Sequence, residues 1–582
     1  MHLAASAAVA AGFAWRFDHA AGTVLAHLLL VAEWDLLLLL LARGAQWPRA
    51  VTAALFGTTF AAQTWLYVLD AIGYSSWGRN VTWRLVSAFA PVMWSGKEPF
   101  PVGRPGITLF LGGPLVVMLI VTARWMRQPT RPASRRLACA AAVASGAAFA
   151  ATLWWGVGDR DRLLWKDELL AAFFRPVGYA FEPTARREAV AERDAGLRAA
   201  YPRKVAGARR SNVVLIIVDS LRADRMQVYG YRRETTPFLS ALVRSGRMKK
   251  VEAAFSTCSE SFCGITSTLA SREFRDISAR TYQLQDVLRD EGYRTWFLLS
   301  GNHSAWNGLT QFYHADEGDL FDGSMTERYT MDDDRVVLEG LERVPPAPPD
   351  RPAFFYLHLM STHYLGVQLP ESHVFTRAND EVSPGAEPYS ILPELEKPDR
   401  YDDKVLQADG IVRRIFDALQ AKGYLDRAIV VVTGDHGEGL GERHWAHGWD
   451  LYNEDVRIPL LLYDAPAAQY PDLAFAAQVD IAPTIVDRLG LPVPASWEGQ
   501  SLLEPSRERF TYHQTYFVPT RFAVLYRDDR ALYKFIATPQ YGKEELYDLT
   551  RDAHEARNLI AERPALAALL REKVRAYRSD QP

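Results

Sequence analysis

Two places in this 582-residue chain set metal-donor side chains at the end of an apolar run. Residues 213–218, VVLIIV, close on Asp219, and residues 428–433, AIVVVT, close on Gly434-Asp435-His436-Gly437. Such runs read as strands buried on both faces of a parallel sheet. Ligands in open α/β sheets lie beyond the carboxyl ends of the strands. Two carboxylates and an imidazole at one sheet edge suit zinc, manganese or calcium, and the flanking glycines let the backbone come close. Asp219 taken by itself also reads as a helix cap.

The stretch 255–274, FSTCSESFCGITSTLASREF, is dense in hydroxyls and holds two cysteines. A hydroxyl at a helix N-terminus beside a divalent cation is favoured as an alkoxide. Several residues of the stretch could fill that role, and each serine also reads as a plain cap. Residues 353–363, AFFYLHLMSTH, predict a strand with His363 at its polar end, while His358 alternates into the strand and reads as a satisfied core histidine. Two more histidines, His444 and His447, lie in ERHWAHGWDLY at 442–452.

Around these residues, strands alternate with helix-like segments from 212 onward. The expected class is α/β, a mostly parallel central sheet with helices on both faces. Residues 404–422 carry Ile411, Ile415, Phe416 and Leu419 at helical spacing, and 564–578 predict a closing helix. Net charge is −3 over 66 basic and 69 acidic residues, a balance that argues against a nucleic-acid-binding surface. The charge is unevenly placed. Residues 1–158 hold five acids and twelve bases between long apolar runs.

That first region reads as an α-helical transmembrane bundle of about five spans, at 3–15, 21–41, 50–72, 105–125 and 137–155. Arg43 and Arg49, and Arg124, Arg127, Arg131, Arg135 and Arg136, mark the cytoplasmic loops and leave the soluble part periplasmic or extracellular. Glu33 and Asp35 fall mid-span, as a structural pair or as a contact for a proton or lipid headgroup. Residues 163–174 read as an interfacial helix and 186–210 as a linker. The expected organisation is 1–158 in the membrane, 159–210 connecting, and 211–582 catalytic. Cys139 reads as a packing residue, and Cys258 and Cys263 are close enough to bridge in an exported chain.

VDSLRADRMQVYGYRRETTP at 218–237, the 255–274 stretch and GDHGEGLGERHWAHGWDLYNEDVRIPLLLY at 434–463 together resemble the sulfatase and alkaline phosphatase superfamily. Within it the likeness is to the membrane-anchored phosphoethanolamine and phosphoglycerol transferases, and ELYDLTRDAHEARNL at 545–559 resembles a sulfatase C-terminal signature. The likeness covers roughly residues 211–560. It implies an alkaline phosphatase-like fold, with Asp219, Asp435, His436 and the nucleophile oxygen as metal ligands. It also implies Ser261 as nucleophile, with Ser259 and Cys258 as rivals. Glu260 and Phe262 stand where a formylglycine maturation signal has Pro and Arg. His363 would contact the transferred group, and His447, or His444, would serve the leaving group. Ser220 stands where many sulfatases carry a second acid. Trp306 matches a phosphate-contacting tryptophan of lipoteichoic acid synthases, whereas Gly308 replaces their arginine.

The resulting expectation is an enzyme that moves a phosphoethanolamine or phosphoglycerol unit from a phospholipid donor to an envelope glycan or lipid through a covalent intermediate. It would use one divalent metal ion, zinc or manganese ahead of calcium, in the inner cell membrane. Sulfuric ester hydrolysis and a non-catalytic lipid sensor are the alternatives.

Overall fold

The computed structural model describes residues 6–12, 21–77, 83, 135–158, 168–174, 185–304, 308–316, 318–376, 398–464, 470–504, 508–515, 520–539 and 542–579. The chain divides into two compact units, one of residues 1–178 with 382–395 and one of residues 179–381 with 396–582. Trp306 and the expected span 105–125 lie outside the described residues.

The first unit holds helices α1 (Ala21–Gly44), α2 (Arg49–Trp77), α3 (Arg135–Gly158) and the short α4 (Leu169–Phe174). Among the described residues, two helices are long and apolar enough to cross a membrane, Thr23–Gly44 and Arg135–Val157. A polar centre lies within this unit. His27 Nδ1 is 2.7 Å from Glu168 Oε1, its Nε2 is 2.7 Å from the Tyr67 hydroxyl, and Gln63 donates to Tyr67 as well. Glu168 also accepts the backbone N–H groups of Leu170 and Ala171, capping α4. Of the mid-span acids, Glu33 accepts a hydrogen bond from Thr152 of α3.

The second unit opens with α5 (Ala185–Ala200), inside the stretch read from sequence as a linker. Alanine, arginine and glutamate are strong helix formers, and Asp194 of α5 meets Arg272 in a buried ion pair at 3.0 Å. Segment 185–200 is therefore helical and packed through Asp194.

Seven strands form the central sheet: β1 (Asn212–Val218), β2 (Met248–Lys250), β3 (Arg294–Leu299), β4 (Leu320–Asp322), β5 (Ala353–Leu359), β6 (Ala428–Gly434) and β7 (Leu460–Asp464). Their order is β2-β7-β6-β1-β5-β3-β4. Strands β6, β1, β5, β3 and β4 run parallel, while β7 is antiparallel to both β6 and β2. The continuous apolar runs follow from burial on two faces. Val213, Leu215 and Ile217 of β1 pack into one core with Phe262, Ile265 and Leu269, whereas Val214, Ile216 and Val218 pack into the other with Val336, Ile411 and Ile415. These layers bring α6 (Ser261–Ala270) to one face and α7 (Pro398–Ala421) to the other.

A second, antiparallel sheet follows, with strands β8 (Arg509–Gln514), β9 (Phe522–Arg527), β10 (Leu532–Thr538) and β11 (Lys543–Asp548) in sequence order. Helix α8 (Pro564–Ser579) covers it through Ala567, Leu570, Val574 and Tyr577.

Candidate active site

Strands β1 and β6 are neighbours in parallel register, with Val218 opposite Gly434, so Asp219 and Asp435 leave the same edge of the sheet side by side. Three features hold them there. Asp219 donates its N–H to Leu359 O at the end of β5 (2.8 Å), Thr362 bonds the Asp219 carbonyl, and Ser220 N–H donates to Asp435 Oδ1 (3.0 Å). Ser220 adopts φ +60°, a left-handed conformation that costs a non-glycine residue about 1 kcal/mol or more. Its hydroxyl donates to Asp219 Oδ1 at 2.9 Å, so the residue that replaces a second acid orients the first.

Ser261 is the first residue of α6, with Glu260 as N-cap accepting from the Cys263 N–H. The Ser261 hydroxyl is 3.2 Å from Asp219 Oδ2 and 2.9 Å from His436 Nε2. His436 bonds Gly437 O through Nδ1 (2.7 Å), so the carbonyl takes the Nδ1 proton and Nε2 turns its lone pair toward the serine. His436 Nε2 is 3.7 Å from Asp219 Oδ1 and 3.6 Å from Asp435 Oδ2. Residues from three distant parts of the chain thus meet within one coordination sphere's reach. Gly264 makes this approach feasible, because a Cβ there would sit 2.3 Å from Asp435 O.

Cys258 and Cys263 form a disulfide around Ser261. Cys258 is therefore committed to a bond rather than available as a thiolate. The Ser259 hydroxyl is buried without a hydrogen-bond partner.

The histidine alternatives separate clearly. His444 points to Asp455, with Nε2 2.9 Å from Oδ2. Burial pulls its pKa down, but the Asp455 carboxylate overrides this and holds it at about 9. His447 instead lies against His436, ring centroids 4.2 Å apart, and 5.4 Å from His363. Its Nδ1 donates to Glu438 Oε2 at 3.0 Å, an orienting partner that the sequence reading did not single out although it stands within the Gly434 to Gly439 turn. His363 Nδ1 accepts the Leu365 N–H at 3.2 Å, which leaves the ring proton on Nε2.

The electrostatics favour a cation. Burial, then the charge of Asp435, pushes the Asp219 carboxyl up to about 7. Burial likewise pushes Asp435 up to about 7 against three backbone N–H bonds. Burial pulls His436 and His447 down to about 4 and lowers His363 well below its usual value, so the imidazoles are neutral donors. Asp435 Oδ2 is buried without a hydrogen-bond partner. Two facing carboxylates in a dry site repel one another unless a cation joins them, and this donor set fits a divalent one.

His358 departs from expectation. Its ring is buried as predicted for a core residue, but it faces the Ser300 backbone and sets Nε2 3.8 Å from Asp219 Oδ2. One ligand atom each from Asp219, His358 and Asp435 lie within 4.8 Å of one another. The β1–β5 register that sets His358 beside the β1 terminus is not visible in either strand's own sequence.

Residues 211–491 match the family model for sulfatases. Among curated proteins, the chain is similar to the multifunctional alkaline phosphatase superfamily protein PehA of Trinickia caryophylli, 31% identical over 198 residues that cover 30% of this chain and 38% of that protein. It is 29% identical to arylsulfatase K of Bos taurus over 185 residues, 29% of this chain and 34% of that protein. It is 28% identical to phosphoethanolamine transferase EptC of Escherichia coli over 269 residues, 43% of this chain and 44% of that protein. In each case the matched stretch spans less than half of the relative's length.

Proposed function

The chain carries a sulfatase-family domain over residues 211–491, and we propose that it is a membrane-anchored, metal-dependent transferase. It moves a phosphoethanolamine or phosphoglycerol unit from a phospholipid to an envelope glycan or lipid. The observation that carries this reading is the position of the Ser261 hydroxyl, within 3.2 Å of Asp219 and 2.9 Å of His436 at the N-terminus of α6.

A divalent cation, zinc or manganese ahead of calcium, held by Asp219, Asp435, His436 and the Ser261 oxygen would supply Lewis-acid charge at the serine and the ester. The chain's own groups do the rest. Ser261 Oγ forms a bond to phosphorus as the bond from phosphorus to the leaving alcohol breaks. His363, with its proton on Nε2, donates to a non-bridging oxygen of the transferred group. His447, held through Nδ1 by Glu438, has Nε2 free to take up the serine proton and return it to the leaving oxygen. An acceptor hydroxyl then attacks the phosphoserine and regenerates Ser261.

The location follows from three supports. Among the described residues two helices have spanning length, the arginines cluster in the short loops, and a disulfide suits an oxidising compartment. We place the catalytic unit on the periplasmic or extracellular side of the inner membrane, anchored by the first 158 residues. Similarity to EptC, named a phosphoethanolamine transferase, favours phosphoethanolamine as the unit moved.

Sulfate-ester hydrolysis is the second reading, favoured by the likeness to arylsulfatase K. Incubating the purified protein with labelled phospholipid and sequencing peptide 255–272 by mass spectrometry separates the two. Label on Ser261 supports transfer, whereas an unlabelled peptide with turnover of an aryl sulfate supports the hydrolase.

A further inference from the structure

The turn that carries Asp219 is held from outside the site by a buried phenol. Tyr401 lies near the start of α7 and is fully buried, in the core that also holds Val218 and Leu221. Its hydroxyl donates to Ser220 O at 2.5 Å and accepts the Arg222 N–H at 3.0 Å. Both peptide groups lie outside any strand or α-helix, so the phenol supplies bonds that the backbone does not. Ser220 is the residue with the left-handed φ of +60°, and such a conformation persists only where its surroundings over-determine it. Ser220 in turn contacts both acids, donating its N–H to Asp435 and its hydroxyl to Asp219. Arg222 carries the same support onward. Its guanidinium donates to Glu438 O at 2.8 Å and is fixed by Asp224 at 2.7 and 2.9 Å. Glu438 is the residue that orients His447. Burial pushes the Tyr401 phenol well above its ordinary range, so the hydroxyl remains a donor.

We propose that Tyr401 is a positioning residue of the transfer site: its hydroxyl fixes the Ser220 turn that aims Asp219 and Asp435, and through Arg222 it ties that turn to the segment of Glu438. The inference rests on the metal-dependent reading above. Without the hydroxyl, Ser220 O and the Arg222 N–H are left unpaired in a dry interior, and the left-handed turn can relax. Asp219 and Asp435 then lose their fixed spacing, and a misplacement on the order of 1 Å costs about a hundredfold in rate. Tyr424 offers the contrast. It is buried in the same core and donates its hydroxyl to Pro345 O at 3.0 Å. It lies at the opposite end of the sheet, where its carbonyl accepts from Asn212 at the start of β1. A phenol that serves packing alone would behave as Tyr424 does.

The test uses the full-length, detergent-solubilised protein, stripped with a chelator and titrated with zinc by calorimetry. Tyr401→Phe removes one oxygen and keeps the ring. It is expected to weaken zinc binding by about tenfold and to lower kcat for label transfer from phospholipid by about tenfold to a hundredfold, with KM within about twofold of wild type. Tyr424→Phe is expected to lower the melting temperature by a similar amount and to leave zinc affinity and kcat at their wild-type values. Unchanged zinc affinity and kcat in a folded Tyr401→Phe protein, or equal losses in the two variants, overturn the proposal. Hydrogen exchange of the wild-type protein needs no variant to fold. Zinc is expected to slow exchange at 219–225 and at 398–405 together, and protection at 219–225 alone overturns the proposal. Asp435→Asn keeps the two readings apart. If it binds zinc as the wild type does, the metal-dependent reading fails, and the role of Tyr401 with it. If it loses zinc while Tyr401→Phe keeps it, only the role of Tyr401 fails.

Discussion

Two buried charged clusters in the second unit face opposite fates. At the sheet edge, Asp219, Asp435 and His436 crowd together with a carboxylate oxygen left over, and the His358 imidazole stands beside them. Some distance along the chain, Lys534 of β10 is equally buried but fully engaged. Its ammonium donates to Leu451 O (2.8 Å) and Asn453 Oδ1 (2.7 Å), and pairs with Glu555 at 2.8 Å. Glu555 also accepts the Asn453 N–H at 2.7 Å. The closed cluster pins the segment after His447 to the C-terminal sheet. The open one carries negative charge and donor atoms with no protein partner, which is what a site for a cation and an ester requires.

The contrast predicts that substitutions in the open cluster change chemistry and those in the closed cluster change stability. Ser261→Ala removes the attacking oxygen and should reduce transfer by roughly a thousandfold or more, with melting temperature nearly unchanged. A variant that retains transfer in a labelled-phospholipid assay would move the nucleophile elsewhere. Lys534→Ala leaves Glu555 buried without its counter-charge and should lower stability by about 3–5 kcal/mol. Denaturant unfolding measures this, and the zinc affinity of the folded fraction should stay at the wild-type value.

Gly264→Ala sharpens the boundary between the two classes. Its methyl would meet the Asp435 carbonyl, so the helix or the loop must shift, at about 1–3 kcal/mol. Because that shift displaces a metal-site residue, calorimetric zinc titration should show weaker binding alongside the lost stability. The smallest effect concerns His444. Its folded pKa of about 9 lies above the ordinary value near 6.5, so its contribution is complete below about pH 6.5 and is lost as pH rises through about 9. Unfolding free energies of the wild type should fall by roughly 1–2 kcal/mol across that window, while His444→Gln should give a flatter profile.

Much of the site was legible because its residues sit where local pattern is strongest. Asp219 and Asp435 each close an uninterrupted apolar run, and the Gly-Asp-His-Gly turn is compact enough to recognise. Helix 404–422 was expected from its apolar spacing and is observed as Pro398–Ala421. The helix at 185–200 within the connecting stretch carries a buried ion pair to Arg272, a contact that spacing in its own sequence does not announce. His444 and His447 could not be told apart by spacing, since they differ in what packs against them: Asp455 for one, His436 and Glu438 for the other.

By itself, the order of amino acids determined the α/β alternation, the apolar helices that precede it, and the acids and imidazole that end two of its strands. These follow from short-range hydrophobic period and backbone geometry, which each segment carries alone. Only tertiary structure decided that Ser261 meets Asp219 and His436, that Cys258 is bonded to Cys263, and that His358 stands beside Asp219. Those contacts depend on the register between strands more than a hundred residues apart and on how closely α6 can dock at Gly264. Packing of the whole sheet, and no single segment, supplies that information.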